Sequence, residues 1–223
     1  LAACFNELKD RKVIGPEYAL EQQVGIYEIL VNYYPKKQYF LQLGYTYQQM
    51  DREEDYMLTL KAAYDKDFLD KESEYLALAQ MLLLKKNPYW AAQVLVAGQQ
   101  KKVTITDDDT GEEEIVAVLK DKEKTLKLLA DAWRMAQEID MAIPVLEKVA
   151  KMSKDGDTYV LLGNLYLFED RMEDSIRAIK NGLEKPKDKS RSQALLVLGQ
   201  AYFELQNFEE AKKHFRAAAR DEN

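Results

Sequence analysis

The pair Leu43-Gly44 returns along the chain as Leu78-Ala79, Leu129-Ala130, Leu162-Gly163 and Leu198-Gly199. Successive leucines are 35, 51, 33 and 36 residues apart, so the spacing is about 34 with one insertion of about 17 residues. A unit of this length is a single supersecondary element that cannot bury its apolar face alone. Stacking at least three such units creates the core. The period therefore constrains the chain to an array of similar units.

The copies agree around each leucine. Three residues before it stand Phe40, Tyr75, Leu126, Tyr159 and Leu195, and four after it stand Tyr47, Leu82, Trp133, Tyr166 and Tyr202. Thirteen residues after it come Tyr56, Ala91, Ala142, Ser175 and Ala211; seventeen after it come Leu60, Leu95, Leu146, Ile179 and Phe215. Offsets of three, four and seven are helical. Polar segments such as Asp51-Arg52-Glu53, Lys86-Asn87-Pro88 and Glu169-Asp170-Arg171 separate the two halves of a unit, and Pro88 suits the first turn of a helix. Each unit reads as two helices, A and B, joined by a tight turn.

These residues resemble the tetratricopeptide repeat, whose pattern has a bulky residue, Leu-Gly, Tyr or Trp, then Ala, Phe and Ala. The resemblance spans about residues 38–220 and is cleanest over Ser192 to Ala219. It implies an all-α, right-handed superhelical solenoid of antiparallel helix pairs. The small residue would let helix A approach helix B, and the bulky residue would fill the space to the next unit. The organisation expected is a partial helix-pair repeat over 1–34, two repeats over 35–100, an insertion over 101–120 and three repeats over 121–223.

Leu1-Ala2, with Phe5 three later, reads as the second half of a helix A, and Pro16 to Tyr34 as its helix B. The chain starts with Leu1 rather than Met and inside a repeat, which predicts a processed protein or an excised stretch. Terminal repeats of a solenoid need a polar cap. The last helix B carries Phe208 and Phe215, which a further segment would have to cover.

The insertion breaks the helical pattern. Val103-Thr104-Ile105-Thr106 is β-branched, Asp107-Asp108-Asp109-Thr110-Gly111 has turn chemistry, and Glu112 to Val118 alternates. A β-hairpin near 101–118 is expected. The aspartates do not make a calcium loop. With Gly111 at the sixth loop position, the first and twelfth would be Thr106 and Ala117, neither a carboxylate.

Cysteine and histidine occur once each, as Cys4 and His214. A disulfide framework needs paired cysteines, a zinc site several Cys or His ligands, and a Ser-His or Cys-His catalytic unit a placed His. Cys4 is expected to be a buried inert thiol, and His214 a surface residue. Paired carboxylates such as Glu53-Glu54 and Glu209-Glu210 fall at helix starts, where the dipole favours them. No glycine-rich phosphate loop occurs. The reading is a non-enzyme without cofactor or metal. A net charge of −7 and the absence of a basic block speak against nucleic-acid binding, and no run of 18 apolar residues would span a membrane.

What remains is a surface. The resemblance implies a concave groove lined by the A helices that takes an extended or helical peptide. Carried over copy by copy, the partner-binding residues are Tyr45, Gln48, Gln49, Gln80, Leu84, Lys127, Asp131, Arg134, Asn164, Phe168, Gln200 and Phe203, with Leu41, Leu76, Leu83, Met135, Val160, Leu167, Leu196 and Glu204 at further groove positions. The carboxylate clamp of the chaperone-tail-binding branch is absent: Asn164 matches, but Val160 stands where a Lys is needed. Amide and aromatic side chains suit a peptide held by shape and hydrogen bonds.

The segments Asn87 to Gly98 and Ala130 to Glu138 further resemble bacterial envelope repeat proteins that accompany TonB-type systems. That resemblance implies a periplasmic accessory. A cytoplasmic adaptor or co-chaperone and a self-assembling structural module are the alternatives. The partner expected is another protein or peptide, with no small-molecule substrate.

Overall fold

The structure is a computed structural model and describes residues 1–107, 111–185 and 190–221. The turn residues Asp108, Asp109 and Thr110 of the insertion lie outside the described residues. The chain divides into two compact units, Leu1–Lys120 and Asp121–Asn223.

The first unit holds α1 (Ala2–Asp10), α2 (Pro16–Tyr33), α3 (Lys37–Gln49), α4 (Glu53–Asp65), α5 (Glu72–Leu84) and α6 (Pro88–Gln100), then β1 (Lys102–Thr106) and β2 (Glu113–Ala117). The second holds α7 (Glu123–Met135), α8 (Ile139–Met152), α9 (Asp157–Phe168), α10 (Met172–Leu183), α11 (Arg191–Glu204) and α12 (Phe208–Asp221). Odd helices are A and even helices are B. Each A packs on its own B, and α2, α4, α8 and α10 each pack on the A helix that follows. Loops this short make the paired helices antiparallel.

One local device sets every A–B turn. Asp51, Lys86, Gln137, Asp170 and Gln206, each eight residues after the repeat leucine, have φ between 54° and 62°. The next backbone N–H returns to the carbonyl of the bulky residue four after the leucine: Arg52 to Tyr47, Asn87 to Leu82, Glu138 to Trp133, Arg171 to Tyr166, Asn207 to Tyr202. This is a Schellman closure made without glycine; its hydrogen bonds satisfy helix-end carbonyls and offset the strain of the left-handed residue.

The first pair uses the same closure. Lys12 has φ 58°, and Val13 N–H returns to the Leu8 carbonyl. Counting back eight residues puts Cys4 at the leucine position, three residues later than Leu1. Cys4 is exposed, not buried. In α3, α5, α9 and α11 the preceding helix B packs on helix A, whereas α1 packs on α2.

The small residue after each leucine is where A and B touch. A Cβ on Gly163 would lie 2.5 Å from Ile179 Cδ1, and one on Gly199 would lie 2.7 Å from Phe215 Cδ1. Ala79 and Ala130 are fully buried at the same position. Ser175, where three other copies have Ala, spends its hydroxyl on the Gly163 carbonyl at 2.8 Å. The cores lie between consecutive pairs. In one, α8 residues Ile143, Leu146 and Ala150 meet Leu162 and Tyr166 of α9. In the next, Ile179 of α10 meets Ala194, Val197 and Leu198 of α11.

The insertion is an antiparallel hairpin in which Thr104 faces Ile115 and Val103 faces Val116. Its base is tied down. Val118 N–H donates to the Lys101 carbonyl and Leu119 N–H to the Gly98 carbonyl, both at 2.9 Å. Leu119 is buried against Gly98 and so anchors the hairpin to α6.

Candidate interaction surfaces

Two positions on helix A are exposed in every one of the five copies. Two residues after the leucine stand Tyr45, Gln80, Asp131, Asn164 and Gln200; six after it stand Gln49, Leu84, Met135, Phe168 and Glu204. Residues four apart share a helix face. Each A helix therefore carries a solvent-facing stripe, which needs no side chain for the core and is free for recognition. On it are large apolar groups that water does not favour: Leu84 is 80% exposed, Phe168 76% and Tyr45 59%.

The remaining positions differ between copies. Five residues after the leucine, Gln48 and Phe203 are exposed, Arg134 and Leu83 are half-buried, and Leu167 packs against the core around Ile179. Two before it, Leu196 is exposed while Lys127, Leu41 and Leu76 are half-buried. Val160, expected in the groove, is buried. The close approach of α9 to α11 turns it into the core with Val197 and Leu198. Because α9 and α11 pack side by side, the stripe of Asn164 and Phe168 adjoins that of Gln200.

Two cations of α7 are paired within the helix. Lys127 pairs with Glu123 at 2.7 Å, and Arg134 with Asp131 at 3.3 Å. The bond to Glu123 raises the Lys127 pKa and the same bond lowers that of Glu123. The buried Arg134 Nε lacks a hydrogen-bond partner. Asn164 donates its amide to the Val160 carbonyl at 3.0 Å, which leaves its side-chain oxygen as the acceptor on the α9 stripe. Exposed ion pairs such as those of Lys127 and Arg134 contribute little stability.

The opposite side carries a feature that the offsets do not announce. Crevices of about 360 and 300 Å³ lie between consecutive B helices, one in each unit. Their floors are the equivalent leucines and tyrosines, Leu43 and Tyr47 in one, Leu162 and Tyr166 in the other. Tyr47 donates to Glu28 at 2.6 Å and Tyr166 to Glu147 at 2.5 Å. Arg52 and Arg171 sit over the two rings at 4.7 and 4.6 Å. Burial, then the hydrogen bond to Glu147, pushes the Tyr166 pKa up to about 12; burial and Glu28 raise that of Tyr47 as well. The signal available in sequence was the spacing of 19 residues between glutamate and tyrosine, shared by both pairs.

His214 is half-buried rather than on the open surface. Its ring stacks on Tyr202 with centroids 5.5 Å apart, and Nε2 lies 3.4 Å from Glu210. Burial lowers its pKa, and Glu210 opposes this. Among the described residues, no group of three or more His, Cys, Asp or Glu side chains could hold a metal ion, and no helix is long and apolar enough to cross a membrane.

Residues 192–220, which cover α11 and most of α12, match the tetratricopeptide repeat family. No curated protein matches the chain. Solved structures of similar fold include MamA MSR-1, with TM-score 0.56 and 19% identity over 82% of this chain and 95% of that one. A second MamA crystal structure gives TM-score 0.59 and 17% identity over 83% and 91%. MamA AMB-1 gives 0.58 and 20% over 84% and 92%. At these identities the likeness is one of fold: all-α, of tetratricopeptide solenoid type.

Proposed function

We propose that this tetratricopeptide-type chain is a non-catalytic scaffold that holds a peptide or helix of another protein on the exposed stripes of its A helices. The observation that carries the reading is the pairing of two facts. The leucine, the small residue and the bulky residue of each A helix are largely given to the core. The positions two and six after the leucine are exposed in every copy and include Tyr45, Leu84 and Phe168. Within each unit, successive A helices present such positions, which suits an elongated ligand. The exposed amides Gln48, Gln49, Gln80, Asn164 and Gln200 supply donors and acceptors for a peptide backbone.

The ligand expected is held by shape, ring contact and amide hydrogen bonds, since Lys127 and Arg134 of α7 are already paired. A periplasmic location and service to a TonB-type envelope complex extend this proposal, and rest on the two segments Asn87 to Gly98 and Ala130 to Glu138. The test is affinity capture with the wild type against the triple variant Tyr45→Ala, Leu84→Ser, Phe168→Ser. All three side chains are largely exposed, so the variant should keep its fold, as circular dichroism would verify. Loss of partners from the variant supports the stripes as the binding surface. Recovery of the same partners in the same amounts would rule it out.

A further inference from the structure

The hairpin of β1 and β2 is not a repeat element and takes no part in the A-helix stripes. Among the described residues its sheet has two strands, so each strand is an edge. A two-stranded ribbon is marginal in water; a third strand or packing against a helix is what makes it stable. Leu119 holds the base of this one to α6, but above the base it is open. Thr104, Ile105 and Thr106 are exposed, and Ile115 is 71% exposed.

Pairing parity decides which backbone groups point outward. Val118 N–H donates to the Lys101 carbonyl and Asp107 N–H to the Glu112 carbonyl, each at 2.9 Å. Both pairs continue the register of the strands. Opposed residues of an antiparallel ladder alternate between hydrogen-bonded and non-hydrogen-bonded pairs. Val103 and Ile105 therefore turn their N–H and C=O toward β2, and Lys102, Thr104 and Thr106 turn theirs away from it.

The two edges are not protected alike. Natural sheets guard an exposed edge with charges, proline or bulges. The β2 strand carries Glu113 and Glu114, whereas β1 runs Val103-Thr104-Ile105-Thr106 without a charge. All four are β-branched, and such side chains suit a pleated, half-buried surface.

The β1 strand is also complementary to itself. Turned antiparallel about Thr104, a second β1 sets Thr104 opposite Thr104, Val103 opposite Ile105 and Lys102 opposite Thr106. In that register the outward groups of all three residues meet outward groups of the other strand, and no like charges are opposed. Every contact occurs twice, as a two-fold interface requires. Glu113, beside Thr106 in the hairpin, comes within one strand of Lys102 of the other copy. A foreign strand would have to bring this match in its own sequence, whereas a second copy has it.

We propose that β1 is a self-association edge, through which two copies of the chain join antiparallel about Thr104 into one four-stranded sheet. On one face Val116 and Val103 of one copy continue into Ile105 of the other. On the other face Ile115 and Thr104 of both copies form a single row.

The test is sedimentation of the full chain over a dilution series, in which a monomer–dimer equilibrium is expected. Thr104→Pro removes an outward N–H and spares the bonds to β2. Ile105→Lys sets a charge against Val103 of the other copy. Each should weaken the dimer by about tenfold or more, as edge charges and prolines do. Circular dichroism and thermal melts verify that both variants fold. In a Cys4→Ser background, Thr104→Cys should give a covalent dimer with a short bismaleimide, and Ile115→Cys on the outer strand much less. A wild type that is monomeric at every concentration overturns the proposal. So does a dimer indifferent to both variants, because the copies would then meet elsewhere, and so does equal cross-linking at the two positions. A monomer that captures a partner through β1, and loses it in Thr104→Pro, would make a foreign strand the occupant and overturn the second copy.

Discussion

The Tyr47 hydroxyl of α3 donates a 2.6 Å hydrogen bond to Glu28 of α2, joining helix A of one repeat to helix B of the repeat before. The bond recurs in the second unit between Tyr166 and Glu147. Both tyrosines are nearly fully buried, and each ring is covered by the arginine of its own A–B turn. Turn closure and repeat stacking therefore meet on one side chain.

Tyr47→Phe and Tyr166→Phe should each cost about 1 kcal/mol. Each loses a hydrogen bond to a carboxylate while the ring stays packed, and the glutamates are exposed enough to be solvated. The two tyrosines share no partner, so the losses should add in the double variant. Chemical denaturation of the four proteins checks this. A double variant as stable as the wild type would remove the bonds from the account of stacking.

Tyr166 also gives the chain an alkaline limit. Its folded pKa, near 12, lies above the ordinary tyrosine value of 10, so the fold favours the neutral phenol. That contribution is whole below about pH 10 and is lost as the pH rises through the folded pKa. Stability should fall between pH 10 and 12, and less steeply in Tyr166→Phe. Denaturation midpoints across that range, with phenolate absorbance, measure it.

His214 works in the opposite direction. Burial against Tyr202 holds its pKa below the ordinary value, outweighing Glu210, while Lys213 and Lys180 also lower it. The neutral ring is the favoured form, so its contribution is complete above about pH 6.5 and declines as the pH falls through the folded pKa. His214→Phe keeps a ring over Tyr202 and cannot titrate. Its melting temperature should fall less than that of the wild type between pH 7.5 and pH 5. Equal slopes would exclude His214 as the cause.

Much of this architecture could be read from residue types at fixed offsets. Leu, a small residue and a bulky residue recur because the A–B contact is close: it leaves no room for a Cβ at Gly163, and at Ala130 it fully buries a methyl. The hairpin followed from β-branched residues beside turn residues. Where the reading failed, packing against other helices, which residue offsets do not carry, was the cause. Cys4 occupies the leucine position in register, yet α1 packs on α2 in a way that leaves it exposed. Val160 sits at a groove offset, yet the approach of α11 makes it core. His214 lies among charges in sequence, and its burial comes from Tyr202 on the neighbouring helix.

Three glycine-to-alanine changes separate intrinsic helix propensity from packing. Replacing a helical glycine by alanine gains up to about 1 kcal/mol when the new methyl meets nothing. Gly25, inside α2, has open space at its Cβ position, so Gly25→Ala should stabilise by about that amount. At Gly44 the methyl would lie 3.2 Å from Tyr56 Cδ2, and Tyr56 is only half-buried and can shift. Gly44→Ala should be close to neutral. At Gly163 the methyl would lie 2.5 Å from Ile179 Cδ1 and 2.7 Å from Cγ1, with Val197 at 3.3 Å closing the other side. Ile179 is fully buried and has nowhere to go, so Gly163→Ala should destabilise by about 1–3 kcal/mol despite its gain in propensity. Denaturant titrations of the three variants should rank them Gly25→Ala, Gly44→Ala, Gly163→Ala from most to least stable. If Gly163→Ala were as stable as Gly25→Ala, close A–B contact would not be what selects the small residue of the repeat.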